Sequence, residues 1–259
     1  MTEELETLHV ATDIMGVSGR AMLEALIAGQ RDPTTIADLA KRTLRRKIPD
    51  LTEALIGRFS AHHAFMARLF LDRIDVHTAD ISRLDARIEE AMAPFRAARE
   101  LLMSIPGFSS KTAEVFIAET GGDMSVFPSA GHLASWAGVS PGSNESAGRV
   151  KSAKTRPGNS YLKGALGVSA MSAARSKNSF FSAKYQRIKC RRGPMRALVA
   201  VQHAQVVTAW NMLTSGAFYR ELGTDYYTRR TPAKAKARAL SQLEALGYTV
   251  TLTPLADTA

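Results

Sequence analysis

The sequence predicts a mainly α fold, a long helical arm followed by a compact helical domain. Apolar residues recur at helical spacing along almost all of the 259 residues, and the strict alternation typical of strands is scarce. A hydrophobic content of 45% is enough to bury a core. We expect an N-terminal segment over residues 1–50, a coiled-coil-like arm over 51–96, a compact domain over 97–230 and a basic appendage over 231–259.

The N-terminal segment carries two helix signals. A break at Gly16-Val-Ser-Gly19 precedes a run with apolar residues at helical spacing, which predicts one helix. Asp32 as an N-cap and Pro33 at the first helical position predict the start of another over 34–46. Pro49 is expected to end that helix.

The arm is predicted from an apolar stripe that begins after Leu51 and continues to about Met92. Its residues follow one another at steps of four and three, as in a heptad: Phe70, Ile74, His77, Ile81, Leu84 and Ile88. The pattern predicts a paired helix or a helical hairpin. The alternative is a stripe that packs on the core of its own domain. His62 and His63 are adjacent and cannot both face one metal ion, so we assign no metal ligand here.

Residues 101–119 are typical of two helices joined by a tight Pro106-Gly107 turn. The first amides of the second helix would point outward and suit a phosphate, which makes Ser109, Lys111 and Thr112 candidate nucleic-acid contacts. The segment resembles a helix-hairpin-helix element, although Ser109 stands where that motif has glycine. An ordinary helix–helix turn is the alternative.

The charge distribution is the strongest indication of function. The formal net charge is +10, yet residues 141–200 alone hold thirteen basic residues and one carboxylate, Glu145. Such a segment attracts a polyanion, and hydroxyl and aromatic residues interleave it, among them Tyr161 and Tyr185. The alternative is a solvated charged face. The candidate nucleic-acid contacts are Arg149, Lys151, Lys154, Arg156, Lys163, Lys184, Arg187, Arg191 and Arg192.

Around this basic segment the periodicity predicts further helices. Leu133, Trp136 and Ala137 fit a short buried helix that releases the chain into the basic segment. A second helix is expected from Asn159 to Arg175, and Phe180, Phe181 and Tyr185 are expected to continue it. Residues 195–213 are apolar enough to form a buried closing helix.

The remaining signals bear on compartment and partners. Cys190 is the single cysteine, so no internal disulfide can form, and no His/Cys cluster has the spacing of a zinc site. The first residues are acidic rather than basic, and no apolar run reaches about 18 residues. We therefore expect a cytoplasmic protein without a membrane partner.

The order of the motifs resembles the IS110/IS116/IS902 family of transposases, which are RNA-bridged recombinases. The motifs that carry the resemblance extend from about residue 8 to residue 230. They are Val10-Ala-Thr-Asp-Ile-Met-Gly-Val-Ser-Gly-Arg-Ala-Met-Leu23, Ser104-Ile-Pro-Gly107, Ala134-Ser-Trp-Ala-Gly-Val-Ser-Pro-Gly142, Asn144-Glu-Ser-Ala-Gly148 and Lys154-Thr-Arg-Pro-Gly-Asn-Ser-Tyr-Leu162.

The resemblance implies a RuvC-like domain in which four acidic residues bind Mg²⁺, a helical arm, and a C-terminal domain with a nucleophilic serine. Ser146 matches that serine, and Ser143, Ser152 and Ser160 are close competitors. The serine would attack a DNA phosphodiester. DNA, a structured guide RNA and further copies of the chain, joined through the arm, are the implied partners.

In this family the acidic residues precede the segment that matches Val10–Leu23. The resemblance therefore predicts that the chain is the C-terminal portion of a transposase, with residues 1–50 as a remnant of the RuvC-like domain and room for residual strands there. Asp13 belongs to the later family segment and is not assigned to a metal. Two hypotheses remain: a recombinase chain that acts through Ser146 but not autonomously, and a non-catalytic nucleic-acid-binding chain that co-assembles with complete transposases.

Overall fold

The computed structural model describes residues 10–142 and 144–252, which divide into one compact unit up to Glu90 and a second from Ala91 onward. The predicted mainly α class is confirmed. Strands in the described part are confined to one short antiparallel pair. Within the same ranges, every helix is too short or too polar to traverse a lipid bilayer.

Among the described residues of the first unit, the regular elements are all helices. Its helices are α1 (Val17–Ile27), α2 (Pro33–Ala37), a 3-10 segment (Arg42–Lys47), α3 (Ile48–Ala54) and α4 (Ala61–Met92). A small hydrophobic core holds these helices together and includes the buried side chains of Met22, Ile36 and Leu51. The residual strands that the resemblance allowed do not occur between residues 10 and 50.

The helix signals at Asp32 and Pro49 have different outcomes. The carboxylate of Asp32 accepts a hydrogen bond from the amide of Thr35 at 2.8 Å, so the predicted start of α2 is confirmed. The helix ends at Ala37 instead of continuing to residue 46. Pro49 lies in the first turn of α3 and begins an element instead of ending one, because a proline in that turn removes no helical hydrogen bond.

The arm is one continuous 32-residue helix, α4, which begins at Ala61 rather than near Leu51. Two ion pairs join it to α1: Arg20 to Asp75 at 2.6 Å, and Arg68 to Glu24. The predicted apolar stripe lies on α4, but its members are exposed, from 37% at Ile88 to 62% at Leu84. The stripe is therefore not packed on its own core; pairing with another helix stays a prediction.

The second unit contains the remaining elements. They are a 3-10 turn (Ala93–Phe95), α5 (Arg96–Met103), α6 (Ser110–Thr120), a 3-10 turn (Met124–Val126), α7 (Ala130–Trp136), β1 (Asn144–Ser146), β2 (Arg149–Ser152), α8 (Ser160–Arg175), α9 (Phe180–Arg192), α10 (Pro194–Ser215), α11 (Tyr226–Arg230) and α12 (Pro232–Ala245). The helix expected from Asn159 to Arg175 is confirmed as α8. Its continuation is wrong: Phe180, Phe181 and Tyr185 lie in a separate helix, α9, which the hydroxyl of Ser179 caps.

Helix α10 is the centre of this unit, as the apolar run over 195–213 predicted. Val201, Val206 and Ala209 are fully buried, and α10 packs against α5, α7, α8 and α9. In α7 the inner residue Leu133 is fully buried, whereas Trp136 is 40% exposed. The prediction that Trp136 is a core residue is therefore wrong: its ring lies at the surface, 5.5 Å from that of Phe127.

Candidate functional site

The basic segment contains a β-hairpin that the periodicity did not predict. β1 and β2 are antiparallel, with Ser146 opposite Arg149. The two residues between them, Ala147 and Gly148, have φ angles of 50° and 72°. Positive φ at both central positions is the mark of the two-residue turn that matches strand twist. A glycine at the second of these positions was the available signal, but strands of three and four residues carry no readable alternation.

A bulge distorts the hairpin away from its turn. Glu145 is opposite Val150 and Asn144 is opposite Ser152, so Lys151 is the extra residue between the two pairs. A bulge bends and twists a strand and can redirect a side chain. Lys151 is thus placed at a bend in β2, with its side chain exposed.

The base of the hairpin depends on contacts that only glycine permits. A Cβ atom at Gly158 would lie 2.3 Å from the amide nitrogen of Gly138. At Gly142 it would lie 2.4 Å from the carbonyl oxygen of Lys154, which also accepts a hydrogen bond from the Gly142 amide at 3.2 Å. The incoming and outgoing chain segments are therefore in direct backbone contact, and this contact sets the position of the hairpin.

Asn159 connects the hairpin base to the helices behind it. Its side-chain oxygen accepts a hydrogen bond from the Leu162 amide at 2.8 Å and so caps α8. Its side-chain nitrogen donates to Glu119 on α6, and its own amide donates to the carbonyl of Trp136 at 3.2 Å. These hydrogen bonds connect the segment at the base of the hairpin to helices α6, α7 and α8.

The structure gathers five of the candidate cations around the hairpin. Arg149, Lys151, Lys154 and Arg156 are exposed, while Lys163 is half-buried and donates a hydrogen bond to the Thr155 hydroxyl at 3.4 Å. Among the residues that the structure describes, none of these five forms an ion pair with a carboxylate. Their charges are therefore not neutralised by the described part of the chain.

The other four candidate cations lie on α9. Arg191 and Arg192 are exposed at its end. Arg187 is exposed and its guanidinium lies 4.5 Å from the centre of the Tyr227 ring. Lys184 is half-buried near Phe180, and this burial lowers its pKa below the usual range. Lys184 is thus held within the fold, whereas the three arginines are presented to solvent.

The three candidates at the start of α6 differ in access. Lys111 is exposed, and its amino nitrogen lies 3.9 Å from a carboxylate oxygen of Glu114. The hydroxyl of Ser109 accepts a hydrogen bond from the Thr112 amide at 3.2 Å, which is a helix cap. Thr112 is only 4% exposed. Its assignment as a nucleic-acid contact needs correction, because a buried hydroxyl cannot reach a phosphate in solution.

The turn before α6 faces the core of the second unit. Gly107 has a φ of +90°, and a Cβ there would lie 2.3 Å from the carbonyl oxygen of Ser169 on α8. The buried side-chain nitrogen of Gln205 donates to the Pro106 carbonyl at 3.0 Å and to the Ser169 hydroxyl at 2.8 Å. The Pro106-Gly107 turn is therefore a packing element between α8 and α10. A phosphate-binding role of the helix-hairpin-helix kind stays a prediction for the start of α6.

The candidate serines are distinguished by their surroundings. Ser146 is exposed at the end of the hairpin. The hydroxyl of Ser152 accepts a hydrogen bond from the Lys154 amide at 3.2 Å, and Ser160 is exposed in the first turn of α8. Ser143 lies outside the described residues. Of the serines described, Ser146 is the one with an arginine directly opposite it.

The residues that the structure describes do not fit a magnesium site of the kind that the resemblance implies. Within 10–142 and 144–252, no three or more His, Cys, Asp or Glu side chains converge on a position where a metal ion could be held. Glu145 adjoins Ser146 in sequence but points to the other face of the strand. We derive no metal-dependent step from these residues.

Comparison with known proteins supports the resemblance. Residues 99–186, which include the hairpin, match the family model described as "Transposase IS116/IS110/IS902 family". An IS900 uncharacterized 42 kDa protein from Mycobacterium paratuberculosis is 34% identical over 163 residues, 61% of this chain and 40% of that protein. An IS110 uncharacterized 43.6 kDa protein from Streptomyces coelicolor is 32% identical over 123 residues, 46% of this chain and 29% of that protein.

A putative transposase, y4pF/y4sB, from Sinorhizobium fredii is 29% identical over 182 residues, 65% of this chain. The match covers 46% of that protein, so the chain spans less than half the length of each of these three relatives. Residues 99–186 are therefore similar to the IS116/IS110/IS902 family of transposases.

Proposed function

We propose that this chain takes part in DNA transposition as a recombinase chain in which Ser146 attacks a DNA phosphodiester. The observation that carries the proposal is the placement of Ser146, exposed at the end of a hairpin and directly opposite Arg149. Cross-strand partners point to the same face of a hairpin, with their Cβ atoms roughly 5 Å apart. A phosphate that approaches the Ser146 hydroxyl would therefore also meet the guanidinium of Arg149.

In the proposed step, the Ser146 oxygen forms a bond to phosphorus and the bond from phosphorus to one deoxyribose oxygen breaks. The serine proton passes to solvent water, and the departing oxygen takes up a proton from solvent water. Phosphoryl transfer depends on positioning and on stabilising the charge of the phosphoryl oxygens. Arg149 is placed to supply that charge, and the glycine contacts at Gly138 and Gly158 supply the positioning.

The remaining exposed cations would bind the DNA on either side of the reacting phosphate. Lys151, Lys154 and Arg156 lie on the hairpin and its outgoing segment without carboxylate partners among the described residues. Contacts of this type bind the sugar-phosphate backbone of the DNA and do not depend on the base sequence. A structured guide RNA, which the family resemblance implies, could use the same phosphate chemistry.

A second candidate function is a non-catalytic nucleic-acid-binding chain that co-assembles with complete transposases. Its supporting observation is the exposed stripe on α4, where Phe70, Ile81 and Leu84 are 54%, 59% and 62% exposed. A heptad stripe of this kind suits a second helix, and a second copy of the chain or of a relative would supply one. Homo-oligomerisation through α4 is thus part of both candidates.

The two candidates are separated by trapping a covalent DNA adduct. The chain is incubated with Mg²⁺ and nicked transposon-end DNA, alone and together with a complete relative whose matching serine is alanine. That relative supplies the acidic residues in trans. We expect no adduct from the chain alone and an adduct of the chain in the mixture.

The adduct should be lost with Ser146→Ala and kept with Ser160→Ala, a neighbouring exposed serine. An adduct that survives Ser146→Ala would overturn the proposed nucleophile. Binding and co-assembly without any adduct would support the second candidate. A robust adduct from the chain alone would show that it acts autonomously.

A further inference from the structure

A surface depression in the second unit has a lining that contains none of the candidate cations assigned above. It is formed where the end of α8, the loop after it, α9 and the start of α10 meet. Met171, Tyr185 and Leu198 form its apolar lining, and Arg175, Lys177 and Gln186 its polar lining. Neither Arg175 nor Lys177 was a candidate contact from the sequence.

The apolar lining is partly anchored in the core of the unit. Tyr185 and Leu198 are half-buried and pack against the main core of the unit, which fixes their positions. Met171 is 43% exposed, so part of the apolar surface is open to solvent. Tyr185 presents an aromatic ring at this position, and a ring held by packing is a platform on which a flat apolar group can stack.

The polar lining has the opposite charge to a phosphate. The depression is lined by two cations, Arg175 and Lys177, and by no carboxylate. Gln186 is exposed and carries both a donor and an acceptor, as the edge of a nucleobase requires. The hydroxyl of Ser182 donates to the Ala174 carbonyl at 3.2 Å, which leaves its oxygen able to accept a hydrogen bond.

The depression continues into the basic face of α9. Tyr185, Lys189 and Arg192 are spaced by four and three residues and so share one face of the helix. The amino group of Lys189 lies 5.6 Å from the centre of the Tyr185 ring. A nucleic-acid strand that places one base on Tyr185 could thus run its phosphates along Lys189 and Arg192.

We propose that this depression binds one unpaired nucleotide, its base stacked on Tyr185 and its phosphate held by Arg175 and Lys177. A paired base inside a duplex has both faces covered, so only an unpaired one can offer a face to the ring. The inference rests on the proposed function, because it assumes that the chain binds nucleic acid. It adds a preference for unpaired nucleotides that the hairpin does not explain.

The test compares two DNA duplexes, one with a single unpaired 2-aminopurine and one without it. Fluorescence anisotropy measures both affinities, and 2-aminopurine emission reports stacking. We expect the wild-type chain to bind the bulged duplex more tightly by roughly 5- to 150-fold, the value of one base–aromatic stack. Tyr185→Leu should abolish the preference and the emission change, whereas Tyr185→Phe should keep both. Tyr248→Leu, which removes another exposed ring of the same unit, is the matched control and should keep both.

Equal affinity of the wild-type chain for the two duplexes would overturn the inference, as would a preference that persists in a folded Tyr185→Leu variant. Arg175→Gln combined with Lys177→Gln leaves the core intact, and it should weaken binding of the bulged duplex more than of the paired one. An unchanged ratio in this double variant would also overturn the inference. No binding to either duplex would instead contradict the proposed function itself.

Discussion

Ser146 and Arg149 lie directly opposite each other in the two strands of a hairpin, separated only by Ala147 and Gly148. This relationship places a hydroxyl and a guanidinium on one face of the most basic segment of the chain. Glu145, the next residue along β1, belongs to the other face. The two faces of the hairpin therefore have different chemistry, and this difference can be tested.

Replacing Arg149 by Gln should slow adduct formation in the mixed assembly by about 100-fold, since one donor to a developing oxyanion is worth about that much. Single-turnover trapping of the DNA adduct measures the effect. Glu145→Gln, on the opposite face, should change the rate little. Equal slowing by the two substitutions, which change the net charge in opposite directions, would contradict a specific role of Arg149.

Replacing Lys151, Lys154 and Arg156 together by Ala should weaken DNA binding and reduce its salt dependence. Each lost phosphate contact lowers the slope of log affinity against log salt by about 0.9, so the slope should fall by about 2.7. Titrations at several salt concentrations measure it. Lys234, Lys236 and Arg238 on α12 are equally exposed, and their triple Ala variant is the control with the same charge. An unchanged slope in the first variant would remove the hairpin cations from the interface.

Gly158→Ala should destabilise the fold and displace the hairpin, because its Cβ would lie 2.3 Å from the Gly138 nitrogen. We expect a loss of about 1–3 kcal/mol in the free energy of unfolding, measured by chemical denaturation. Gly164→Ala in α8 is the matched control, since its Cβ would meet no atom within 4 Å. That substitution should stabilise α8 by about 0.5–1 kcal/mol. A neutral Gly158→Ala would contradict the close contact at the hairpin base.

Gln205→Ala should lower the free energy of unfolding by about 1–3 kcal/mol, because it leaves the Pro106 carbonyl without the buried donor that now lies 3.0 Å from it. The free energy of unfolding is the measurement. Asn211→Ala, on the exposed side of the same helix, removes a similar amide and should change stability by less than about 0.5 kcal/mol. Similar losses in the two variants would show that the turn does not depend on Gln205.

His203 should make the second unit less stable in mild acid. Burial, and secondarily the charge of Lys184, lower the pKa of His203 from its usual value of 6.5. The unfolded chain then binds a proton more readily than the folded one, so the stability falls as the pH drops through about 6.5. Denaturation between pH 8 and pH 5 should show a smaller decline for His203→Leu than for the wild type. Identical declines would mean that His203 does not contribute.

Much of this architecture was accessible from local sequence signals. The cap at Asp32, the long periodic run that became α4, and the apolar run that became α10 each depend on residues close together in the chain. The two-residue hairpin was missed because strands of three and four residues are too short to show a period. Pro49 was misread because a proline begins a helix as readily as it ends one.

The sequence by itself determined the helical class, the family order of motifs and the cation-rich segment that carries Ser146, because periodicity, motif spacing and charge are properties of the chain. Only the tertiary structure decided which of the candidate side chains are accessible to solvent. In the second unit, Gly107 packs against Ser169 and the side chain of Thr112 is buried. Cross-strand pairing places Arg149 opposite Ser146. Such contacts join residues on different elements, and their geometry follows from packing that no local pattern encodes.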